Sequence, residues 1–158
     1  MDLKPEEKVT VLLQTLDFHI NEIHRREESE KTWFEWASTL LLATFGAIIA
    51  LAGSSKPLQQ PILIKLLATV LILIPSLISI SRILDVAKSS SRNAEIVEHI
   101  EDLLHLFDSG FYDEKSIYPN RWHGKLAQNM LKRKTPKYFV GIIGLMTFCV
   151  IAAVWLIL

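Results

Sequence analysis

Charged side chains are missing from three stretches of this 158-residue chain. Residues 36–53, 66–81 and 138–158 contain no Asp, Glu, Lys or Arg, and most of their side chains are apolar. A helix of about 20 such residues crosses the roughly 30 Å hydrocarbon core of a bilayer. The absence of charge therefore excludes an ordinary soluble domain and predicts a small multi-pass membrane protein.

Cysteine and the common catalytic motifs are also scarce. Cys149 is the only cysteine, so no disulfide within the chain and no thiolate metal cluster can form. The sequence has no glycine-rich phosphate loop, no nucleophile elbow and no zinc signature. Glu95, His99 and Asp102 have a spacing that suits a metal on a helix face, but a solvated face explains them more simply. We expect no enzyme activity, no cofactor and no metal.

Acidic residues do not occur after Glu114, and basic residues are unevenly placed. Residues 1–114 hold 10 Lys/Arg and 17 Asp/Glu, whereas residues 115–158 hold seven basic residues. Basic residues beside membrane spans concentrate on the cytoplasmic side. Here all but Lys56 and Lys65 lie in the first 32 residues or between the second and third spans. We expect a multi-pass protein of the cell inner (plasma) membrane, with a cytoplasmic N-terminus and the C-terminus outside. No cleavable signal peptide is expected, because the charged N-terminal segment lacks an apolar core.

Neither glycine nor proline occurs from residue 6 to 45, so one continuous helix is predicted from about residue 5 to 53. Its first half carries an apolar stripe over residues 9–23, at three- and four-residue spacing. A matching stripe over residues 96–107 follows the second span. The two stripes predict an antiparallel stalk in the cytoplasm. The alternative is that residues 1–24 lie flat on the lipid as an interfacial helix.

These patterns predict an all-α membrane protein with three transmembrane helices, the first two extended into a cytoplasmic antiparallel helical stalk. The predicted segments are a cytoplasmic amphipathic helix at 1–32, transmembrane helices at 33–53, 61–82 and 138–158, an outside turn at 54–60, a cytoplasmic helix at 83–108, and a basic cytoplasmic loop with a short helix at 109–137. Pro75 is expected to bend the second transmembrane helix, with the hydroxyls of Ser76 and Ser79 available to the freed carbonyls.

Two stripes within the spans are predicted to form a pore or a helix interface. On the first span the stripe consists of small residues: Thr39, Ala43, Gly46 and Ala50. Such residues let helices approach closely, either between protomers or within the chain. On the second span the stripe is polar: Lys65, Thr69, Ser76 and Ser79. It suits a channel wall, or else the hydroxyls bond to their own helix and the lysine anchors at the interface.

Basic residues alternate with aromatic residues after Glu114. Four of them are candidates for binding a nucleotide or an oligonucleotide: Arg121, Trp122, His123 and Lys125. Cations beside stacking rings suit such a ligand. The alternative is that basic residues close to the membrane bind anionic lipid, which is the stronger explanation for residues 132–137.

The order of these segments resembles the SLATT-type two-transmembrane effectors of bacterial antiphage and nucleotide-signalling systems. The resemblance rests on the first helix entering its span at Lys31-Thr32-Trp33, the turn at 53–57, and the continuation from Arg82 to Phe107; the third span is additional to that plan. The resemblance implies a membrane effector. Such an effector disturbs the bilayer or conducts ions when the nucleotide or nucleic-acid product of a partner enzyme reaches its cytoplasmic part.

Two functional hypotheses follow. The first is a homo-oligomeric membrane effector or ion channel that responds to a cytoplasmic nucleotide or nucleic-acid signal in bacterial antiviral defence. The second is a non-conducting membrane scaffold or accessory subunit that docks a soluble partner through its helical stalk. The expected partners are membrane lipid, further copies of the chain, and a nucleotide or oligonucleotide made by a partner enzyme.

Overall fold

The computed structural model describes residues 4–53 and 61–157, and this part of the chain contains helices and turns but no strand. Its α-helices are α1, Pro5–Ala52; α2, Pro61–Leu103; α3, Leu126–Leu131; and α4, Lys134–Ile157. A 3-10 helix, Asn120–Trp122, precedes α3. The predicted all-α class is confirmed for the described residues. The predicted outside turn at 54–60 lies outside them.

Helix α1 runs for 48 residues without a break, which confirms the continuity predicted from the missing glycine and proline. Its first turn is stabilised by Glu7, whose carboxylate accepts a hydrogen bond from the backbone N–H of Lys4 at 2.9 Å. This bond is one half of a capping box. Pro5 at the first helical position and Glu6 in the first turn also suit a helix N-terminus.

Helix α2 ends at Leu103 in a Schellman motif. The backbone N–H of His105 donates to the carbonyl of Asp102 at 3.0 Å, and the N–H of Leu106 donates to the carbonyl of Glu101 at 3.2 Å. This pair of bonds closes a helix through one residue in the left-handed conformation, usually glycine. His105 takes that position, with a φ of 56°. The helix end therefore carries no glycine signal in the sequence.

One predicted boundary differs from the structure, because the helix predicted over residues 83–108 ends earlier, at the Schellman motif. Helix α4 begins at Lys134 and contains the predicted membrane span from residue 138 onward. Pro136 falls within its first turn, where a missing N–H has no helical partner to lose. The proline therefore belongs to the helix.

Pro75 lies inside α2, where its ring removes the N–H that would bond to the carbonyl of Leu71. The hydroxyl of Ser76 donates to the carbonyl of Ile72, and the hydroxyl of Ser79 donates to the carbonyl of Pro75, each at 2.8 Å. Both serine hydroxyls therefore bond back to a carbonyl of their own helix. Neither of these bonds reaches the Leu71 carbonyl that the proline leaves open, contrary to the expectation from the sequence.

The chain divides into two compact units. The charged unit consists of the residues up to Glu28 together with Val86–Arg133, and the apolar unit consists of Ser29–Asp85 together with the residues from Lys134 onward. In the charged unit, one cluster of buried residues forms the core: Ile23, Ala94, Val97 and Ala127. This core contains one member of each predicted apolar stripe, Ile23 and Val97. Their arrangement as an antiparallel stalk in the cytoplasm stays a prediction.

The core of the apolar unit is formed by α1, α2 and α4 together. Its buried cluster consists of Ala37, Leu41, Ile48, Ile72, Ile83, Ile143, Val150, Ala153 and Val154. At one end of this cluster, Phe34 stacks on Phe139 with 4.3 Å between ring centroids. The three helices thus pack on one another through aliphatic side chains and one aromatic pair.

The outer surface of the apolar unit is also apolar. Many of its large side chains are exposed, with Leu71 at 72% and Phe148 at 69%. Three helices in the described residues are long and apolar enough to cross a membrane, judged by length and composition. Soluble proteins rarely expose contiguous apolar surface on this scale. The chain is therefore compatible with a multi-pass membrane protein.

Candidate functional site

The charged unit contains a pocket of about 450 Å³. It is lined by Glu101, Phe107, Tyr118, Trp122, Lys125, Leu126 and Asn129. These residues come from the end of α2, the loop after it, the 3-10 helix and the start of α3. The volume falls in the range of roughly 300–1,000 Å³ that is usual for small-molecule sites. The pocket therefore has the size of a ligand site and combines three aromatic rings with one ammonium and one carboxyl group.

The loop that carries the aromatic residues is tied to the end of α2. The backbone N–H of Tyr118 donates to the carbonyl of Leu106 at 2.9 Å. The hydroxyl of Tyr112 donates to the carbonyl of Leu104, also at 2.9 Å. Because both acceptors lie where α2 terminates, the Schellman motif places the loop as well as ending the helix.

Helix α3 is held against α2 by the side chain of Glu98. Its Oε1 atom accepts the backbone N–H of Leu126 and, at 3.3 Å, the backbone N–H of Ala127. These N–H groups lie in the first turn of α3, which leaves them without helical partners. The hydroxyl of Ser91 donates to the carbonyl of Ala127 at 3.2 Å. The bonds to Glu98 and Ser91 fix the wall of the pocket that α3 forms.

The aromatic residues of the pocket form a connected group of rings. The ring centroids of Phe107 and Tyr118 lie 5.7 Å apart, and those of Tyr118 and Trp122 lie 6.2 Å apart. Phe107 also meets the ring of His123 edge to face at 4.9 Å. Rings in such contact hold one another in place, and Trp122 is 54% exposed. The planes of Phe107 and Tyr118 are inclined by 59° and those of Tyr118 and Trp122 by 49°, so the exposed ring of Trp122 is the one that offers a planar ligand a face for stacking.

Glu101 is the acidic group in the pocket wall. Burial raises the pKa of its carboxyl group, and the neighbouring carboxylates of Glu98 and Asp102 raise the pKa further. Glu98 is engaged by α3, and Asp102 Oδ1 lies 2.8 Å from His123 Nε2. Among the residues that the structure describes, Glu101 has no hydrogen-bond or ion-pair partner. It is the carboxyl group of the three that a ligand can still engage.

The four predicted ligand residues are separated in the structure. Trp122 and Lys125 line the pocket. His123 lines a smaller neighbouring pocket and is paired with Asp102. Arg121 is exposed on the 3-10 helix and lines neither pocket. Two of the four candidates therefore lie together in one site.

Sequence reasoning missed five of the lining residues as site residues: Glu101, Phe107, Tyr118, Leu126 and Asn129. Asn129 follows Lys125 by four residues, and this spacing puts two side chains on the same face of a helix. That signal was present in the sequence. Glu101 gave no such signal, because it reaches the pocket only through the fold of the loop onto α2. In residues 4–53 and 61–157, no group of three or more His, Cys, Asp or Glu side chains is placed to hold a metal ion.

In the apolar unit, Ser76 and Ser79 of the predicted polar stripe are buried, with 3% and 0% of their surface exposed. The Oγ atom of Ser76 lies 2.9 Å from Oγ1 of Thr147 on α4. Thr147 also lies 2.7 Å from the carbonyl of Ile143. Since each hydroxyl has one hydrogen, one of them donates across the interface while the other bonds to its own helix. Within the chain, Ser76 is therefore part of a helix–helix contact.

Lys65 and Thr69, the other two stripe residues, also meet α4. The ammonium of Lys65 donates to the carbonyl of Trp155 at 3.4 Å. The indole N–H of Trp155 donates to the hydroxyl of Thr69 at 3.2 Å. A lysine and an indole at the same end of two helices are typical of the membrane–water interface. A role for the stripe in a pore wall stays a prediction.

The small-residue stripe of α1 is exposed, whereas Ser76 and Ser79 on α2 are buried. Its members Thr39, Ala43, Gly46 and Ala50 are all exposed. A Cβ atom built on Gly46 meets no other atom within 4 Å. Residues 4–53 and 61–157 therefore do not cover this stripe, which leaves it open, within the described part of the chain, to lipid or to another protein.

No family model, curated protein or solved structure matches this chain. The resemblance to SLATT-type effectors stays a prediction. The function has to be argued from the pocket and the helix surfaces.

Proposed function

We propose that this chain is a homo-oligomeric membrane effector or ion channel that responds to a nucleotide or nucleic-acid signal in the cytoplasm, in bacterial antiviral defence. The observation that carries the proposal is the meeting of Phe107, Tyr118 and Trp122 with Lys125 in one pocket. Aromatic rings stack on nucleobases, and an ammonium group balances phosphate charge. An anionic lipid headgroup would use the lysine but has no base to stack on the rings.

The outward-facing apolar side chains of α1, α2 and α4 support the location in a membrane. The charge pattern supports the inner (plasma) membrane, with the charged unit in the cytoplasm. The open stripe around Gly46 supports association between copies, because helices in lipid pack through small residues that let backbones approach. Together these features fit an oligomer whose protomers meet along α1.

Chain connectivity supports a route from the pocket to the membrane helices. A ligand in the pocket would touch Lys125 and Asn129, and only two residues separate α3 from α4. The second of these, Arg133, pairs with Glu27 at 2.7 Å within the charged unit. In this proposal, the ligand shifts α3, and the shift reaches α4 through the two residues that join them.

Ion flux from proteoliposomes tests the proposal. The purified full chain is reconstituted, and flux is recorded with and without mononucleotides and short oligonucleotides. We expect flux that depends on the nucleotide, is abolished in Trp122→Ala and is strongly reduced in Lys125→Ala. Arg121→Ala is the matched control, because it removes a neighbouring exposed cation that does not line the pocket. An equal loss of flux in Lys125→Ala and Arg121→Ala, or flux that does not depend on nucleotides, contradicts the proposal.

A specific surface favours the scaffold as a second candidate. The N-terminal part of α1 exposes Val9, Leu13, Phe18 and Ile20, with Phe18 at 59%. A soluble partner helix could bury this surface. A reconstituted protein that oligomerises but carries no flux with any nucleotide, and whose partner binding is lost in Leu13→Glu, would favour the scaffold over the channel.

A further inference from the structure

The pocket contains a carboxyl group that has no partner among the residues that the structure describes. Glu101 lines the pocket beside the aromatic rings, whereas Glu98 and Asp102 are occupied by α3 and His123. A carboxylate offers only acceptors and is partly desolvated here. It therefore gains most from a ligand that presents two N–H donors side by side.

The nucleobases differ in this respect. The Watson–Crick edge of guanine presents the N1–H and the N2 amino group as adjacent donors. Adenine presents one amino group next to the N1 lone pair, and a carboxylate oxygen is repelled by that lone pair. Cytosine and uracil likewise have one donor beside an acceptor. Of the common bases, guanine alone matches a bidentate carboxylate acceptor.

The other polar groups of the pocket agree with this assignment. The amide of Asn129 can donate to the O6 acceptor of guanine, next to the edge that a carboxylate would bind. Lys125 lies one helical turn before Asn129, and the backbone N–H of Asn129 donates to its carbonyl at 2.8 Å. One wall thus carries an amide and an ammonium group on the same face, suited to the base and to a phosphate.

We propose that this pocket selects a guanine nucleotide, with Glu101 accepting from N1–H and the N2 amino group, Trp122 stacking on the base, and Lys125 meeting the phosphate. The inference rests on the proposed nucleotide response and narrows it to one base. A good bidentate contact to a base discriminates by roughly 10- to 100-fold in affinity. The expected order of affinity is GMP, then IMP, which lacks the N2 amino group, then AMP.

Calorimetric titration of the full chain in lipid nanodiscs tests this order. In wild type, GMP is expected to bind about 10- to 100-fold more tightly than AMP. In Glu101→Gln, GMP should weaken until its affinity is close to that of AMP, while AMP is little changed. Glu95→Gln is the matched control, since Glu95 is exposed on the same helix and does not line the pocket. A guanine dinucleotide is titrated in a parallel arm, to distinguish a free nucleotide from a base within an oligonucleotide. Binding of GMP or of the dinucleotide that is tighter than binding of AMP supports the guanine assignment.

The outcomes separate the two proposals. Equal affinity for GMP and AMP in wild type overturns the choice of guanine and leaves the nucleotide response standing. An unchanged GMP-to-AMP ratio in Glu101→Gln overturns the role of Glu101. No binding of GMP, IMP, AMP or the dinucleotide overturns the proposed function itself, and the guanine inference with it.

Discussion

The hydrogen bond between Ser76 and Thr147 offers a direct test of how α2 and α4 pack. Replacing Thr147 with valine keeps the shape of the side chain and removes its hydroxyl. Replacing Ser76 with alanine removes the hydroxyl on the other side. A double-mutant cycle of these two changes isolates the bond between them, because effects on each helix alone cancel.

The expected size of the coupling energy between Ser76 and Thr147 depends on the burial of both side chains. Ser76 is 3% and Thr147 is 7% exposed, so water cannot replace the lost bond. Interhelical hydrogen bonds in membrane proteins average about 0.6 kcal/mol in such cycles and reach about 1.7 kcal/mol. We expect a coupling energy near 0.6 kcal/mol. The expected value is modest because each hydroxyl can also bond to a carbonyl of its own helix.

Reversible unfolding in mixed micelles, titrated with SDS and followed by far-UV circular dichroism, measures the coupling. Thr44 provides the control, because its hydroxyl donates to the carbonyl of Leu40 in its own helix at 2.8 Å. The cycle that pairs Thr44→Val with Ser76→Ala should show no coupling. A Ser76–Thr147 coupling below about 0.3 kcal/mol, the usual limit of additivity, would refute the packing. Ser76 would then be free to face water, as a channel wall requires.

Three further predictions concern other residues. Ser79→Leu should lower the free energy of unfolding by about 1–3 kcal/mol, because leucine overfills a site with no exposed surface. Ser79→Ala should change it little. SDS titration measures both variants, and equal stability of the two would contradict the buried placement. Glu101→Gln should raise the free energy of unfolding of the charged unit at neutral pH by less than about 1 kcal/mol, because the pKa of Glu101 is raised and wild type loses stability as the pH rises through that pKa. The melting temperature should therefore change less with pH in the variant than in wild type. The same pH dependence in both proteins would refute this cause. His105→Val should lower stability by about 1–2 kcal/mol relative to His105→Gly, because a β-branched residue is strained at positive φ; equal melting temperatures would mean that α2 does not end in the left-handed conformation.

Much of the fold could be predicted because long uncharged apolar runs and regular apolar spacing are direct signals of helices and of their buried faces. The continuity of α1 followed from the lack of helix breakers. The end of α2 could not be predicted in this way, since His105 takes a position that glycine usually holds. In this conformation, Nδ1 of His105 lies 2.6 Å from Oδ2 of Asp108, and the His105 ring stacks on Phe111. Both partners lie in a loop whose path depends on the folded structure.

The ligand site could be predicted only in part, for a related reason. Trp122 and Lys125 were identified because rings and cations close together in sequence stay close in space. Glu101 and Phe107 precede them by 15 residues or more in the sequence. They join the site because the loop turns back onto α2 and because Glu98 holds the start of α3. Such contacts join segments that are far apart in the sequence, so the periodic spacing of apolar residues does not predict them.

The exposure of the two span stripes bears on where a conduit could form. A pore between copies of the chain must be lined by residues that a single copy leaves open. Thr39 and Gly46 on α1 meet this condition, whereas Ser76 and Ser79 do not. For the serines to reach water, α2 would have to separate from α4 and lose the Ser76–Thr147 bond. That separation would also expose aliphatic side chains of the shared core, such as Ile72 and Val154, so the stripe on α1 is the one that can line a conduit without unpacking the apolar unit.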